Sequence, residues 1–299
     1  MATSPLKNTV STKMKIFTDP KQIQQYVLVQ RAAGKTIALI PTMGYLHRGH
    51  TTLMEQARPT AQIVIVSIFV NPLQFGPRED LDTYPRDFES DCRTCKQAGV
   101  DIIFSPRMSD IYPAGFQTTV SVAEITRGLC GAHRPGHFNG VTTVVAKLFN
   151  LTLPHKAFFG EKDYQQLAAI RQMVNDLNFP IEIVGVPIVR EADGLAMSSR
   201  NAYLSPSQRE AALSLSHSLF RARETFKQGE RQSSILQQTV RDTIQADSDH
   251  NCQLEYLAVC DPETLVEIEQ IEKGAVIALA ARVGKTRLID NILLPNLSD

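Results

Sequence analysis

The sequence predicts an α/β chain: a doubly wound, Rossmann-like parallel sheet followed by a smaller C-terminal α+β domain. Three observations carry that prediction. Short apolar, β-branched runs alternate with helical patterns over the first 190 residues. Several of those runs are apolar throughout, as strands buried on both faces of a parallel sheet must be. After about residue 200 the strict alternation stops and two long amphipathic helices precede a strand-rich tail. With 299 residues, 43% of them hydrophobic, the chain suits two domains or one large one.

The expected strands are TIALI (36–40), QIVIVSIFV (62–70), DIIFSP (101–106), QTTVSV (117–122), KAFFG (156–160) and IEIVGVPIV (181–189). The expected helices run from His47 to Ala57, Asp87 to Ala98, Asn139 to Asn150 and Asp163 to Leu177. Gly99 and Pro154 act as stops, and Asp163 places a favourable acidic charge at a helix start. A long helix begins with Ser205 as N-cap and Pro206 as its first residue, and ends at Gly229. A second covers 231–246, and strands follow in CQLEYLAVCDP and AVIALAARVGKTRLIDNILL. The expected division is a short flexible lead-in at 1–13, a first domain at 14–187 and a smaller one at 188–299.

Composition excludes several classes. Lys plus Arg equals Asp plus Glu at 31 each, so net charge gives no reason to expect a nucleic-acid or membrane partner. No apolar run approaches the roughly 20 residues of a spanning helix, and the polar N-terminus does not read as a secretory signal. Five cysteines, an odd number in a long chain, argue for a reducing, cytoplasmic setting. Cys92 and Cys95 form a C-x-x-C, but no second pair completes a zinc site, so two ordinary helix thiols are expected.

The chemistry gathers where strands end. PTMGYLHRGH (41–50) follows a buried strand and opens a helix. Backbone N–H groups and the helix dipole make such a turn an anion site, and open α/β sheets bind ligands there. Gly44 and Gly49 allow close backbone approach, while His47 and His50 share one face of the helix start. The two histidines lack an adjacent third ligand, so no protein metal site is expected. SIFVNPLQFGPREDLDTYPRD (67–87) offers Asn71, Gln74, Arg78, Tyr84 and Arg86. In GAHRPGHFNGV, Arg134 and His137 straddle a Pro-Gly turn, and Arg134 suits a carboxylate or phosphate. FFGEKDYQQL adds Lys162, Asp163 and Gln166; DGLAMSSRN adds two hydroxyls and an arginine that can clamp phosphate. VGKT at 283–286 matches only the tail of a Walker A motif, and no G-x-G-x-x-G is present. Neither a Ser-His-Asp order, a carboxylate pair nor a cysteine nucleophile with a base is evident. The residues therefore point to nucleotide-phosphate handling without a covalent enzyme intermediate.

These segments, in order and spacing, resemble the pantoate–β-alanine ligases (pantothenate synthetases) over about residues 14 to 295. That family lies within the nucleotidyl transferases that carry an H-x-G-H signature, and MSSRN looks like that group's second phosphate-binding signature. The resemblance implies ATP-dependent adenylation of pantoate, then attack by β-alanine to give pantothenate, with Mg²⁺ accompanying ATP. It implies an ATP site of Met43, Gly44, Tyr45, Leu46, His47, Arg48, Gly49 and His50, with Gly160, Glu161, Lys162 and Asp163. Val189, Met197, Ser198, Ser199 and Arg200 complete that site. His50 is the implied proton donor, with His47 and Lys162 on the phosphates. Gln74 and Gln166 are implied for pantoate, and Gln74, Tyr84 and Arg134 for β-alanine. A homodimer is the family's usual state. On the residues alone, a transferase that stops at a nucleotide-bearing product and a catalytically idle nucleotide-binding regulator remain alternatives. The regulator would be expected to have lost His50, Lys162 or the SSR stretch, and none is lost.

Overall fold

The computed structural model describes residues 14–77, 79–248 and 251–296. The lead-in expected at 1–13 and the loop residue Arg78 lie outside the described residues. In chain order the first part contains β1 (Lys15–Phe17), α1 (Pro20–Ala32), β2 (Ile37–Thr42), α2 (Arg48–Ala57), β3 (Ile63–Ile68) and α3 (Phe88–Gln97). Then come β4 (Ile102–Phe104), α4 (Met108–Ile111), α5 (Leu129–His133), α6 (His137–Thr152), β5 (Lys156–Gly160), α7 (Tyr164–Asp176) and β6 (Glu182–Val186). The second part has α8 (Pro206–Lys227), α9 (Ser233–Ser248), β7 (Cys252–Cys260), β8 (Ala275–Val283) and β9 (Thr286–Leu294).

The first six strands form one parallel sheet in the order β1-β4-β3-β2-β5-β6. Successive side chains of a strand point to opposite faces, and β2 shows the result. Ile37 and Leu39 join a core with α1, α6 and α7, whereas Ala38 and Ile40 join another with α2 and α3. Each such aliphatic side chain, fully buried, contributes about 1.5–3 kcal/mol. The sheet is thus wound on both sides. Strand order reverses between β2 and β5, so the loops after those strands diverge and leave a crevice at their carboxyl ends.

The remaining strands form an antiparallel sheet β7-β8-β9, which buries Val259, Ile277, Leu279 and Ala281 against α8 and α9. VGKT is the turn of its β8–β9 hairpin: Val283 pairs with Thr286, and Gly284 takes φ 58°. Ser205 caps α8 by accepting from the Gln208 N–H, as expected of its sequence.

Three departures from the sequence reading have physical causes. The expected strand 117–122 is not one. Its valines do seek the core, but Val120 bonds to Thr143 and Thr142 of α6 rather than to a neighbouring strand. Four elements went unread: β1, a three-residue edge strand; α1, although Asp19 and Pro20 supply its N-cap and first residue; and the one-turn helices α4 and α5, too short to show a helical period. The C-x-x-C lies on α3 as two free thiols. Burial drives Cys95 up to about 12, and Cys92 is half-buried.

Candidate active site

The loop leaving β2 is held by one carboxylate. Gly44 and Tyr45 take left-handed conformations (φ 84° and 52°), which turns the Tyr45 and Leu46 amides toward α3, while the Gly44 N–H donates to the Thr42 hydroxyl. Asp91 there accepts the Tyr45 N–H at 2.9 Å and the Leu46 N–H at 2.7 Å. A Cβ on Gly44 would sit 2.9 Å from that carboxylate. Burial raises the Asp91 pKa, and the two amides only partly offset it.

Beyond the latch, His47 is the N-cap of α2 and His50 its third helical residue. Each Nδ1 accepts from the backbone: His47 from the Gly49 N–H at 3.1 Å, His50 from the His47 N–H at 3.2 Å. An acceptor Nδ1 fixes the tautomer, so each neutral ring carries its proton on Nε2. Desolvation lowers His47 to about 4 with help from Lys162, and His50 to about 3 with help from His47 and Lys162. At neutral pH the pair, with ring centroids 4.1 Å apart, offers two neutral Nε2–H donors. Gly49 makes room for this, since a Cβ there would lie 2.9 Å from His47 Cε1.

The loop after β3 faces them. Asn71, almost fully buried, donates to the Gly140 carbonyl at 3.0 Å and to Gln74 Oε1 at 3.1 Å, and accepts from the Tyr112 hydroxyl at 2.8 Å. Gln74 Nε2 in turn rests 3.1 Å from the Met43 sulfur. Beside it, His137 Nδ1 donates to the Gln74 carbonyl at 2.7 Å, leaving Nε2 to accept from Arg134 at 3.1 Å. Burial and the Arg134 charge lower His137 to about 4. Arg134 also grips Glu79 through two bonds, of 2.7 and 2.5 Å.

The third wall follows β5. Gly160 leads into Glu161, Lys162 and Asp163, and Asn291 of β9 pins this junction by donating to the Glu161 and Lys162 carbonyls at 2.9 and 3.0 Å. Ser198 caps the short turn Ser199–Tyr203. Arg200 reaches back to Asp80 through two bonds of 2.9 and 2.7 Å, with its guanidinium 5.9 Å from the Tyr84 ring centroid.

These walls enclose a cleft of about 240 Å³. Met43, His47, Gly49 and His50 line it, as do Gly160, Lys162, Asp163, Val189, Met197, Ser198, Ser199 and Arg200. So do Gln74, Tyr84, Arg134 and Gln166. Five expected residues do not. Gly44 is buried in the latch, and Tyr45 and Leu46 line an adjoining groove that shares His47 and Ser198 with the cleft. Arg48 points outward to Glu55 at 2.8 Å, and Glu161 packs behind the wall near Arg171. Asp91, Asn291, Glu79 and Asp80 are the residues that sequence reasoning missed. Asp91 had a signal, being a carboxylate one helical turn before Cys95 on the buried stripe of α3. The other three had none in the linear sequence.

Known proteins similar to this chain fall in one family. Residues 15–293 match the family model described as pantoate-beta-alanine ligase. The chain is 54% identical over 281 residues to a pantothenate synthetase of Geotalea uraniireducens, covering 94% of this chain and 99% of the relative. The crystal structure of pantothenate synthetase from Thermus thermophilus superposes with a TM-score of 0.88 at 46% identity, over 94% of this chain and 100% of the other. A pantoate-beta-alanine ligase from Francisella tularensis, complexed with beta-gamma ATP and beta-alanine, gives a TM-score of 0.74 at 34% identity, over 94% of this chain and 98% of the other.

Proposed function

The chain belongs to the pantoate–β-alanine ligase family, and from that premise we propose how its cleft joins pantoate to β-alanine with ATP. The reaction gives pantothenate, AMP and pyrophosphate through a pantoyl adenylate. One observation carries the assignment of roles: the crevice at the β2/β5 switch point is lined together by the cations Lys162, Arg134 and Arg200, by the histidine and serine donors, and by the neutral amides of Gln74 and Gln166.

ATP lies along Met43, His47, Gly49 and His50, then Gly160, Lys162 and Asp163, with Val189 and Met197–Arg200 closing the nucleotide side. Lys162, the histidine Nε2–H groups, Ser198, Ser199 and Arg200 surround the phosphates. When the pantoate carboxylate oxygen attacks the α-phosphorus, charge grows on the phosphoryl oxygens and on the departing pyrophosphate. Preorganised donors in a dry site stabilise that charge. In the free cleft both histidines are neutral and present Nε2–H donors to the phosphates, burial lowering His50 to about 3. Gln74 and Gln166 hold the pantoate oxygens without a charge that would over-stabilise the ground state. Arg134 and Tyr84 belong with β-alanine, whose amine then attacks the acyl carbon and expels AMP.

Mg²⁺ enters as MgATP. There it would neutralise phosphate charge during the transfer. The segment 188–299 is read as a lid domain over 14–187, excluding water from an adenylate that hydrolyses. A homodimer in the cytoplasm completes the reading; among the described residues no helix is long and apolar enough to cross a membrane.

The test separates the two steps. Pantoate-dependent exchange of pyrophosphate into ATP without β-alanine reports the adenylate; release of AMP with pantothenate on adding β-alanine reports its capture. Folded protein that does neither refutes the reading. Exchange without amine-dependent AMP release favours a transferase that stops at the adenylate.

A further inference from the structure

The two arginines of the cleft are already occupied by anions from the chain itself. Glu79 and Asp80 are consecutive, yet each makes a two-bond pair with a different arginine: Glu79 with Arg134, Asp80 with Arg200. The two arginines reach the cleft from separate parts of the chain, one before α6 and the other in the Ser199–Tyr203 turn. Tyr203 adds a third tie by donating to the Thr83 carbonyl at 3.1 Å. The loop after β3 therefore straps one wall to the other through its acids.

Donor accounting shows what this means for a substrate. A guanidinium has five N–H donors. Arg134 spends Nε–H and one Nη2–H on Glu79, the other Nη2–H on the Gln74 carbonyl, and one Nη1–H on His137. At most a single donor is left, and the Cys130 side chain also lies in hydrogen-bonding contact with the guanidinium, so a carboxylate cannot be gripped by two bonds while Glu79 stays. Arg134 has a side-chain exposure of 14%, and a guanidinium so enclosed cannot stand unpaired without a large penalty. Exchange of one carboxylate for another avoids that penalty. Arg200 turns one edge to Asp80, spending Nε–H and one Nη2–H there, which leaves three donors beside that pair; its side chain is 28% exposed, so Asp80 competes for it chiefly through charge.

We propose that Glu79 and Asp80 are internal competitor anions, which hold Arg134 and Arg200 in the free enzyme and give way to the β-alanine carboxylate and an ATP phosphate. This inference rests on the reading of the cleft given above. Its consequence is a selectivity rule. Only a ligand that brings its own anion can take Arg134 from Glu79, so a neutral amine gains nothing there. The competition also weakens binding of the correct substrate in the ground state, which raises KM without cost to kcat.

Glu79→Gln tests this by sign. A competitor's removal lowers KM for β-alanine, by roughly tenfold for one charge-assisted pair, with kcat held within about twofold. A residue that only positions Arg134 would do the opposite and raise KM when neutralised. Glu79→Asp, which keeps the charge, returns KM toward the wild-type value. Asp80→Asn reads the same idea at the other arginine as a fall in KM for ATP, and stands in if Glu79→Gln does not fold. Pantoate-dependent pyrophosphate exchange is measured on every protein. Exchange together with an unchanged or raised KM overturns the inference alone; no exchange in folded wild-type protein overturns the functional reading and the inference together.

Discussion

Gly140→Ala is a small change with a large expected effect. Gly140 lies on the buried face of α6, beneath the loop that carries Gln74. A Cβ there would come within 2.3 Å of the Leu73 carbonyl oxygen, 2.4 Å of its carbon and 2.6 Å of the Gln74 nitrogen. Ordinary contact begins near 3.4 Å, so loop and helix must part by about 1 Å, and the opposing atoms are backbone that cannot rotate away. The same shift stretches the 3.0 Å bond from Asn71 to the Gly140 carbonyl. Overpacking of this kind costs about 1–3 kcal/mol, and a 1 Å displacement of a substrate-positioning group costs on the order of 10²-fold in rate. Steady-state kinetics should show kcat/KM for pantoate down by roughly that factor, and thermal unfolding should show a loss of several degrees. A variant within threefold of wild type, with an unchanged melting temperature, would refute the placement of Gln74 by this contact.

Three further outcomes are expected. Asp91→Asn turns one acceptor into a donor facing the Tyr45 or Leu46 N–H; it should cost about 1–3 kcal/mol and raise KM for ATP, and unaltered ATP kinetics would dismiss the latch. His50→Asn retains an acceptor for the His47 N–H but loses the Nε2–H donor, whereas His50→Gln does the reverse. The first should lower kcat by on the order of 10²-fold while melting near wild type, and the second should melt earlier but keep more activity; the reversed pattern counts against the tautomer. Finally, His47, His50 and His137 sit near 4, 3 and 4 in the folded protein, against about 6.5 when unfolded. On acidification through about pH 6.5 to 5 the unfolded chain takes up protons that the native rings refuse. Stability should therefore fall as pH falls, by up to about 1.4 kcal/mol per unit for each ring. A melting temperature flat over that window would refute the neutral assignments.

How much of this was legible depends on whether a residue works locally or through a distant partner. The sheet was readable because burial on both faces leaves apolar runs, and β2, β3 and β5 are such runs. The segment 117–122 shows the limit of that signal: Val122 is buried and Val120 partly so, while Thr118 and Thr119 are exposed, and the hydrogen-bond partners of Val120 are Thr142 and Thr143, where no local pattern announces a helix hydroxyl as a strand's substitute. The cleft residues were legible because each follows a strand or opens a helix, where the topology delivers ligands. Arg48 was misjudged as a side chain since a contiguous motif carries no record of which residues point inward; at the helix start it faces Glu55, away from the histidines. The acids Glu79 and Asp80 were illegible for a deeper reason. Their role is defined by Arg134 and Arg200, 55 and 120 residues away, and two carboxylates in a polar loop look like solvated surface until those partners are seen. A sequence motif therefore marks the groups that meet the substrate better than those that occupy its place before it arrives. That is why the distinguishing measurement for this cleft is a KM that falls when a charge is removed.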